Sequence, residues 1–273
     1  MSLLESTKFL LRRHRTFPKK RLGQNFMVDA TTIERLCAYA FLCGDDVVLD
    51  IGAGLGFLAR VLAKKCKGVL AVELDKRLAS VLREQTNDVP NIKVIEGDVL
   101  KVHVPEFNKV VSVPPYGISS RLLLWLFERN FDCAVLVFQK EFANRLVADV
   151  GSKDYGWLTV FTYYYANIEL LDDVPKWMFY PPPEVDSVIV RLKPRKPPPF
   201  KLKNEDLFKQ IVRLLFTQRN RKVKNAIQNL LKSPFKTVAK ESVELGGFLP
   251  FRDRRVRELA PEDFGALANA LSN

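Results

Sequence analysis

Over its first two-thirds the chain alternates between short, continuous apolar runs and stretches with helical spacing. Val47–Gly52, Val69–Leu74, Ile92–Gly97, Lys109–Ser112 and Cys133–Phe138 are compact and rich in Val, Ile and Leu. Between them, Phe57–Lys65, Arg77–Gln85, Leu122–Glu128 and Glu141–Ala148 repeat apolar positions as one face of a helix does. Strands that are apolar on both faces and separated by helices specify a mostly parallel sheet covered on both sides, an α/β Rossmann-like arrangement. Leu158–Tyr165 and Ser187–Leu192 are further β-type runs with no clear helix between them, which leaves room for one to run antiparallel. They extend the expected sheet to seven strands.

The pattern then changes. Lys193–Pro199 is crowded with Lys, Arg and Pro and reads as a stiff linker. Beyond it come only helical patterns: Asp206–Phe216, Val223–Leu231 and a last helix opened by Pro261-Glu262. We therefore expect an α/β domain over 1–196, with a basic N-terminal arm, and a small all-α domain over 197–273.

Composition adds a partner. The 273 residues hold 43 Lys and Arg against 31 Asp and Glu, a net charge of +12, which suits a polyanion such as nucleic acid. Basic residues concentrate at Arg12–Arg21, including Lys19, Lys20 and Arg21, and again at Arg191–Lys203, Arg213–Lys224 and Arg252–Arg257. Cys37, Cys43, Cys66 and Cys133 show no Cys-x-x-Cys spacing, and only His14 and His103 could supplement them. That spacing argues against zinc and for free thiols in a reducing compartment. Met1–Lys20 is basic without a long apolar segment, unlike a secretory signal, and no apolar run reaches membrane-spanning length, so a cytoplasmic protein is expected.

Two strand ends carry chemistry. Asp50-Ile51-Gly52-Ala53-Gly54-Leu55-Gly56 joins a strand to a helix, and its glycines let backbone approach a ligand at the carboxyl edge of the sheet. A dinucleotide turn would need glycine where Phe57 stands. Glu73-Leu74 closes the next strand, where a carboxylate can accept both hydroxyls of a ribose. Asp98-Val99 closes the third, where Asp98 can accept from an adenine amino group beside Val99. Gly52, Gly54, Gly56, Glu73, Leu74, Asp98 and Val99 in this register describe an S-adenosylmethionine site.

At the end of the fourth strand, Ser112-Val113-Pro114-Pro115-Tyr116 nearly matches the [Asn/Asp/Ser]-Pro-Pro-Tyr turn of methyltransferases acting on adenine N6. Pro114 and Pro115 lack an N–H, so the turn offers carbonyls without a competing donor. Tyr116 offers a face to a flat heterocycle. Val113 stands where a side-chain oxygen is expected and also borders the cofactor. The carbonyls of Val113 and Pro114 remain as acceptors, with Ser112 as a substitute if the turn shifts.

With these residues in place the chain, over about residues 17 to 265, resembles the KsgA family of rRNA adenine N6,N6-dimethyltransferases. Lys20-Arg21-Leu22-Gly23-Gln24-Asn25-Phe26 is similar to the family's K-x-L-G-Q-N-F motif, which implies that Gln24, Asn25 and Phe26 border the cofactor. Phe179-Tyr180-Pro181-Pro182-Pro183-Glu184-Val185-Asp186-Ser187 is similar to F-x-P-x-P-x-V-x-S, which implies that Phe179 holds the extruded base opposite Tyr116 in a stacking sandwich. Phe216–Lys222 is similar to F-x-Q-R-R-K and implies RNA contacts from Gln218, Arg219, Arg221 and Lys222, with Asn220 departing from the pattern. The resemblance implies a monomer that uses S-adenosylmethionine. It would dimethylate two adjacent adenines in the 3′-terminal hairpin of small-subunit rRNA, on a pre-30S particle, during ribosome biogenesis. Val113, where the family has Asn, leaves a second reading: an RNA-binding assembly factor of weak or no activity on the same fold. A DNA adenine methyltransferase is a third, disfavoured by the small helical tail.

Overall fold

The computed structural model describes residues 1–231 and 249–272. Its strands are β1 Phe26–Met27, β2 Val47–Ile51, β3 Gly68–Glu73, β4 Ile92–Glu96, β5 Lys109–Ser112, β6 Cys133–Gln139, β7 Ala166–Val174, β8 Phe179–Tyr180 and β9 Ser187–Pro194. Seven of them form one sheet in the order β4-β3-β2-β5-β6-β9-β7. The pairs β3–β4, β2–β3, β2–β5 and β5–β6 are parallel, and β9 joins β6 antiparallel. Both sheet faces are covered, so β2, β3, β5 and β6 are buried along nearly their whole length.

The strand order reverses between β2 and β5. The chain runs outward from β2 through β3 to β4, then returns to pair β5 on the other side of β2. Loops leaving the carboxyl ends of strands at such a reversal diverge and open a crevice. The loop after β2 carries the glycines; the loop after β5 carries Val113–Tyr116. The strand order alone thus sets the two motifs side by side.

Helices α1 Leu3–Arg13, α2 Ala30–Tyr39, α3 Phe57–Ala63, α4 Lys76–Thr86 and α5 Ser119–Phe127 belong to the sheet unit. The basic start of the chain is itself a helix. Ser2 caps α1 by accepting from the Glu5 N–H, and Glu5 accepts from the Ser2 N–H in return. Leu10 and Leu11 then pack with Leu55, Leu78 and Val81.

After the short helix α6 Lys140–Leu146, the run Leu158–Tyr165, expected as a strand, lies in a helix, α7 Trp157–Tyr165, and the strand follows it as β7. Leu158, Val160, Phe161 and Tyr164 are all buried, so α7 shows no polar face to betray its period. Ser187–Leu192 is the antiparallel strand β9.

The fold divides into two compact units: Met1–Ala143 with Ile168–Pro194, and Asn144–Asn167 with Arg195–Asn273. Residues 144–167, read from sequence as part of the first domain, belong to the second. Aromatic packing explains this. Within the second unit, Phe161 lies 6.0 Å from Phe208 and Tyr164 5.4 Å from Phe208 on α8 Glu205–Phe216, while Tyr155 lies 5.5 Å from Phe216. α9 Val223–Leu231 and the C-terminal helix Pro261–Ala270 complete the helices described there.

Candidate active site

The crevice at the strand reversal is a cavity of about 410 Å³, within the range that encloses a ligand of nucleoside-conjugate size. Gln24, Asn25, Phe26, Gly52, Gly54, Glu73, Leu74, Asp98, Val99, Val113 and Tyr116 all line it. Gly52 has φ +74°, and a Cβ there would stand 2.9 Å from Cδ of Pro115, so the glycine loop and the target turn touch because Gly52 has no side chain. A Cβ on Gly54 would stand 3.2 Å from the Phe26 ring, which lies flush on that backbone. Gly56 is different. It caps α3, and its missing Cβ makes room for Leu82, 2.8 Å away, so it serves helix packing and is not among the lining residues.

Glu73 is buried at the tip of β3. Its Oε2 accepts from the Gly54 N–H at 2.9 Å and its Oε1 from the Asp75 N–H at 2.8 Å. Burial raises its pKa, opposed by those N–H donors. Each oxygen keeps a second lone pair for a ribose hydroxyl. Asp98 accepts from the Leu100 N–H through Oδ1, and its other oxygen takes no hydrogen bond among the described residues. Leu74 is half exposed and Val99 buried, giving apolar flanks for a heterocycle. This donor set fits S-adenosylmethionine: two acceptors for a diol, one for an amine, apolar flanks, and a glycine backbone in between.

Beneath the glycine loop, Asp50 borders a small cavity of about 60 Å³ together with Asn25, Gly52 and Val113. Its Oδ2 is buried without a partner. Burial, and then the charge of Glu73, push its pKa up to about 8, so the group is held protonated near neutrality.

The target end is less polar than its sequence suggested. Ser112 is fully buried: its hydroxyl donates to Ile51 O at 2.6 Å and accepts from Ile51 N at 3.1 Å, pinning β5 to β2. It is therefore not available to replace the missing side-chain oxygen. Val113 packs against the sheet core. The Pro114 carbonyl accepts no hydrogen bond among the described residues, whereas the Pro115 carbonyl accepts from Ile118 N at 3.2 Å. The Tyr116 hydroxyl is 2.6 Å from Ser187 Oγ, and burial pushes its pKa up to about 12. Strand pairing brings Phe179 here, with Phe26 opposite Tyr180 and Met27 opposite Phe179. The Tyr116 and Phe179 rings are neighbours, but they meet edge to face, 6.5 Å apart at 74°, and Phe179 is only 3% exposed. No parallel sandwich is open in this state, because Phe179 is packed into the core by its β-bridge to Met27.

The cations predicted to meet RNA divide into two groups. Lys20 and Arg21 line the cleft. Lys19 instead binds the buried carboxylate of Asp75 at 2.5 Å. Gln24 donates to the same oxygen at 3.1 Å and accepts from the Lys19 N–H at 2.8 Å. Burial alone would raise Asp75, but Lys19, Gln24 and the Arg77 N–H outweigh it and hold the carboxyl below its ordinary value. Gln24 thus reaches the cofactor wall and also clips the arm to the turn after Glu73. In the second unit, Arg219 donates to the carbonyls of Ser152 and Lys153 at 2.7 and 2.9 Å, a role inside the fold. Gln218 donates weakly to Ala226 O at 3.5 Å, and Lys222 lies 3.6 Å from Asp253. Arg221 is exposed. Sequence reasoning missed Asp75 and also Arg121, which lines the cleft from α5. Asp75 is the N-cap of α4, two residues past Glu73, and only the fold reveals its partner Lys19. Among the described residues, no three His, Cys, Asp or Glu side chains gather as a metal site.

Comparison with known proteins agrees with this geometry. The profile of the family described as ribosomal RNA adenine dimethylase matches residues 16–250. A relative in Methanosarcina mazei named "Probable ribosomal RNA small subunit methyltransferase A" is 44% identical over 253 residues, 91% of each chain. A relative of the same name in Methanopyrus kandleri is 38% identical over 276 residues, covering 100% of this chain and 99% of its own. Among solved structures, a dimethyladenosine transferase from Plasmodium falciparum superposes with a TM-score of 0.73 at 29% identity, over 86% of this chain and 93% of that one. The 23S rRNA methyltransferase ErmE does so with a TM-score of 0.65 at 32% identity, over 90% and 99%. With the glycine loop, the acidic strand tips and the Pro-Pro-Tyr turn sharing one crevice, and with a family profile spanning most of its length, the chain belongs to the ribosomal RNA adenine dimethylase family.

Proposed function

We propose that this protein methylates N6 of adenines in small-subunit rRNA, with two adjacent adenines of the 3′-terminal hairpin as its targets. The family makes it an S-adenosylmethionine-dependent methyltransferase acting on RNA. The observation that carries the reading is the single cavity shared by Glu73, Asp98 and the Val113–Tyr116 turn. When bound, S-adenosylmethionine supplies an electrophilic methyl carbon on a sulfonium.

The residues of the chain do the positioning. Glu73 and Asp98 hold the ribose and adenine of the cofactor; Gly52, Gly54, Gln24, Asn25 and Phe26 close over its other end. A target adenine leaves its stack and lies on the Tyr116 face, and Phe179 backs that ring edge to face from β8. The Pro114 carbonyl accepts one N6 hydrogen and so turns the nitrogen lone pair toward the methyl carbon. With Val113 beside it, this carbonyl is the principal acceptor, and a slower transfer than an Asn-containing turn would give follows. The proton left on N6 passes to water, so no histidine is required.

A pre-30S particle as the physiological substrate and a monomeric enzyme complete the proposal. Among the described residues no helix is long and apolar enough to cross a membrane. The test is transfer of labelled methyl groups to small subunits that lack the modification, followed by mass spectrometry of the 3′ hairpin. Label on N6 of both hairpin adenines is expected. Label elsewhere, or none with both ligands bound, would overturn the proposal.

A further inference from the structure

We infer that Lys20, Arg21 and Arg121 form a seat for backbone phosphates of the RNA strand at the lip of the cleft; this rests on the RNA substrate proposed above. All three line the same cavity as Glu73 and Tyr116. The turn that carries Lys20 and Arg21 ends at Gly23, where a Cβ would stand 3.6 Å from Pro115 Cβ and 3.7 Å from the Tyr116 nitrogen. That contact places the two cations against the target turn, and Arg121 follows the same turn on α5.

Their lack of partners is informative. Lys19, one residue earlier, faces Asp75, and Arg60 and Arg83 face Asp88 and Glu96. Among the described residues, none of Lys20, Arg21 and Arg121 has a carboxylate within ion-pair distance. Arg121 also stands in the first turn of its helix, where the backbone dipole disfavours a positive charge. Helix stability therefore does not explain it, but an anion at the cleft lip does. The cofactor brings a single carboxylate. A nucleotide drawn out of its stack brings a phosphate on each side, which suits three clustered cations better.

The test measures binding of an RNA copy of the 3′ hairpin by fluorescence anisotropy between 50 and 200 mM salt. S-adenosylmethionine binding is measured by calorimetry on the same proteins. Arg121→Ala should weaken RNA binding about five- to tenfold and flatten the log affinity against log salt slope by about one. Its cofactor affinity should stay within about twofold of wild type. Arg121→Lys should keep most of the slope, and Lys20→Ala combined with Arg21→Ala should lower it by about two. An unchanged slope and RNA affinity in Arg121→Ala overturns the seat, and so does a cofactor affinity that falls while RNA binding holds. Methylation of small subunits that lack the modification separates the two levels. If the wild type methylates them and Arg121→Ala binds the hairpin unchanged, only the seat fails; if the wild type neither binds nor methylates them, the substrate reading fails and the seat with it.

Discussion

At the cofactor end of the cleft each acidic group arrives with its donors: Glu73 holds the N–H groups of Gly54 and Asp75, and Asp98 holds that of Leu100. At the target end the side chains of the turn itself are apolar or committed elsewhere. Val113 packs on the core, Ser112 ties β5 to β2, and the Tyr116 hydroxyl is engaged by Ser187. Both ends hang on strand tips of the same sheet, so scaffold quality does not separate them. What separates them is where orientation comes from. In the proposed reading, carboxylates fixed by backbone N–H donors hold the first ligand, whereas one backbone carbonyl and one ring face hold the second. The prediction is a protein that binds its cofactor well and performs the transfer slowly.

The largest effect should come from Glu73→Ala, which strips the cofactor end of its anchor. Two buried N–H groups lose a charged acceptor, at about 1.5–3 kcal/mol each, and the ribose loses both of its acceptors. Cofactor affinity should fall more than about a hundredfold, with a matching loss of stability in urea titration. A variant that binds S-adenosylmethionine normally would remove the contrast between the two ends.

Next is Asp50, buried under the same loop. Its pKa rises to about 8 because burial, and then Glu73, oppose its charge, whereas in the unfolded chain it titrates near its ordinary value of 3.8. The folded state therefore holds a proton that the unfolded state has released. Its contribution to stability is complete below about 4 and is lost as pH climbs toward 8, at up to about 1.4 kcal/mol per unit. The wild-type melting temperature should fall across that window, and Asp50→Asn should flatten the profile. A wild-type profile that rises from pH 5 to 8, with Asp50→Asn tracking it, would show that the group is ionised in the fold.

How much of this was readable beforehand follows the same division. The strand tip at Glu73 was legible because β3 is apolar on both faces and ends abruptly in an acid, and that at Asp98 because Glu96-Gly97-Asp98 closes the next short β-type run. The helix Trp157–Tyr165 was not, since β-branched and aromatic residues buried on all sides carry no period. That misreading also displaced the domain boundary, because the aromatics of this helix pack within the helical unit. The roles of single cations were hidden for another reason. Lys19 and Asp75 are 56 positions apart, and Arg219 meets carbonyls 66 and 67 positions away, so charge clustering counted as RNA contacts groups that close the fold. Ser112 was offered as a spare acceptor because its bond to Ile51, across two parallel strands, has no local trace.

The target end is sharpened by Val113→Asn. Restoring a side-chain oxygen should speed single-turnover methylation about ten- to a hundredfold, the worth of one acceptor in a dry site. Cofactor and RNA affinities should stay put, because the contact forms only as N6 pyramidalises. If the rate does not move, the turn supplies its acceptor another way, and the claim that the target end is under-equipped is wrong.

The smallest effect separates the two properties of Tyr116. Its hydroxyl is 2.6 Å from Ser187 Oγ, a fully buried group with no other hydrogen bond. Tyr116→Phe should leave that oxygen unsatisfied and cost about 1–2 kcal/mol of stability. The ring face survives, so the methylation rate should change less than about threefold. Tyr116→Ala removes the face as well and should weaken the hold on the extruded base by about 1–3 kcal/mol. A large rate loss in Tyr116→Phe alone would mean that the hydroxyl acts on the base directly. The target end would then hold a polar catalytic group after all, and its difference from the cofactor end would shrink to the missing oxygen at Val113.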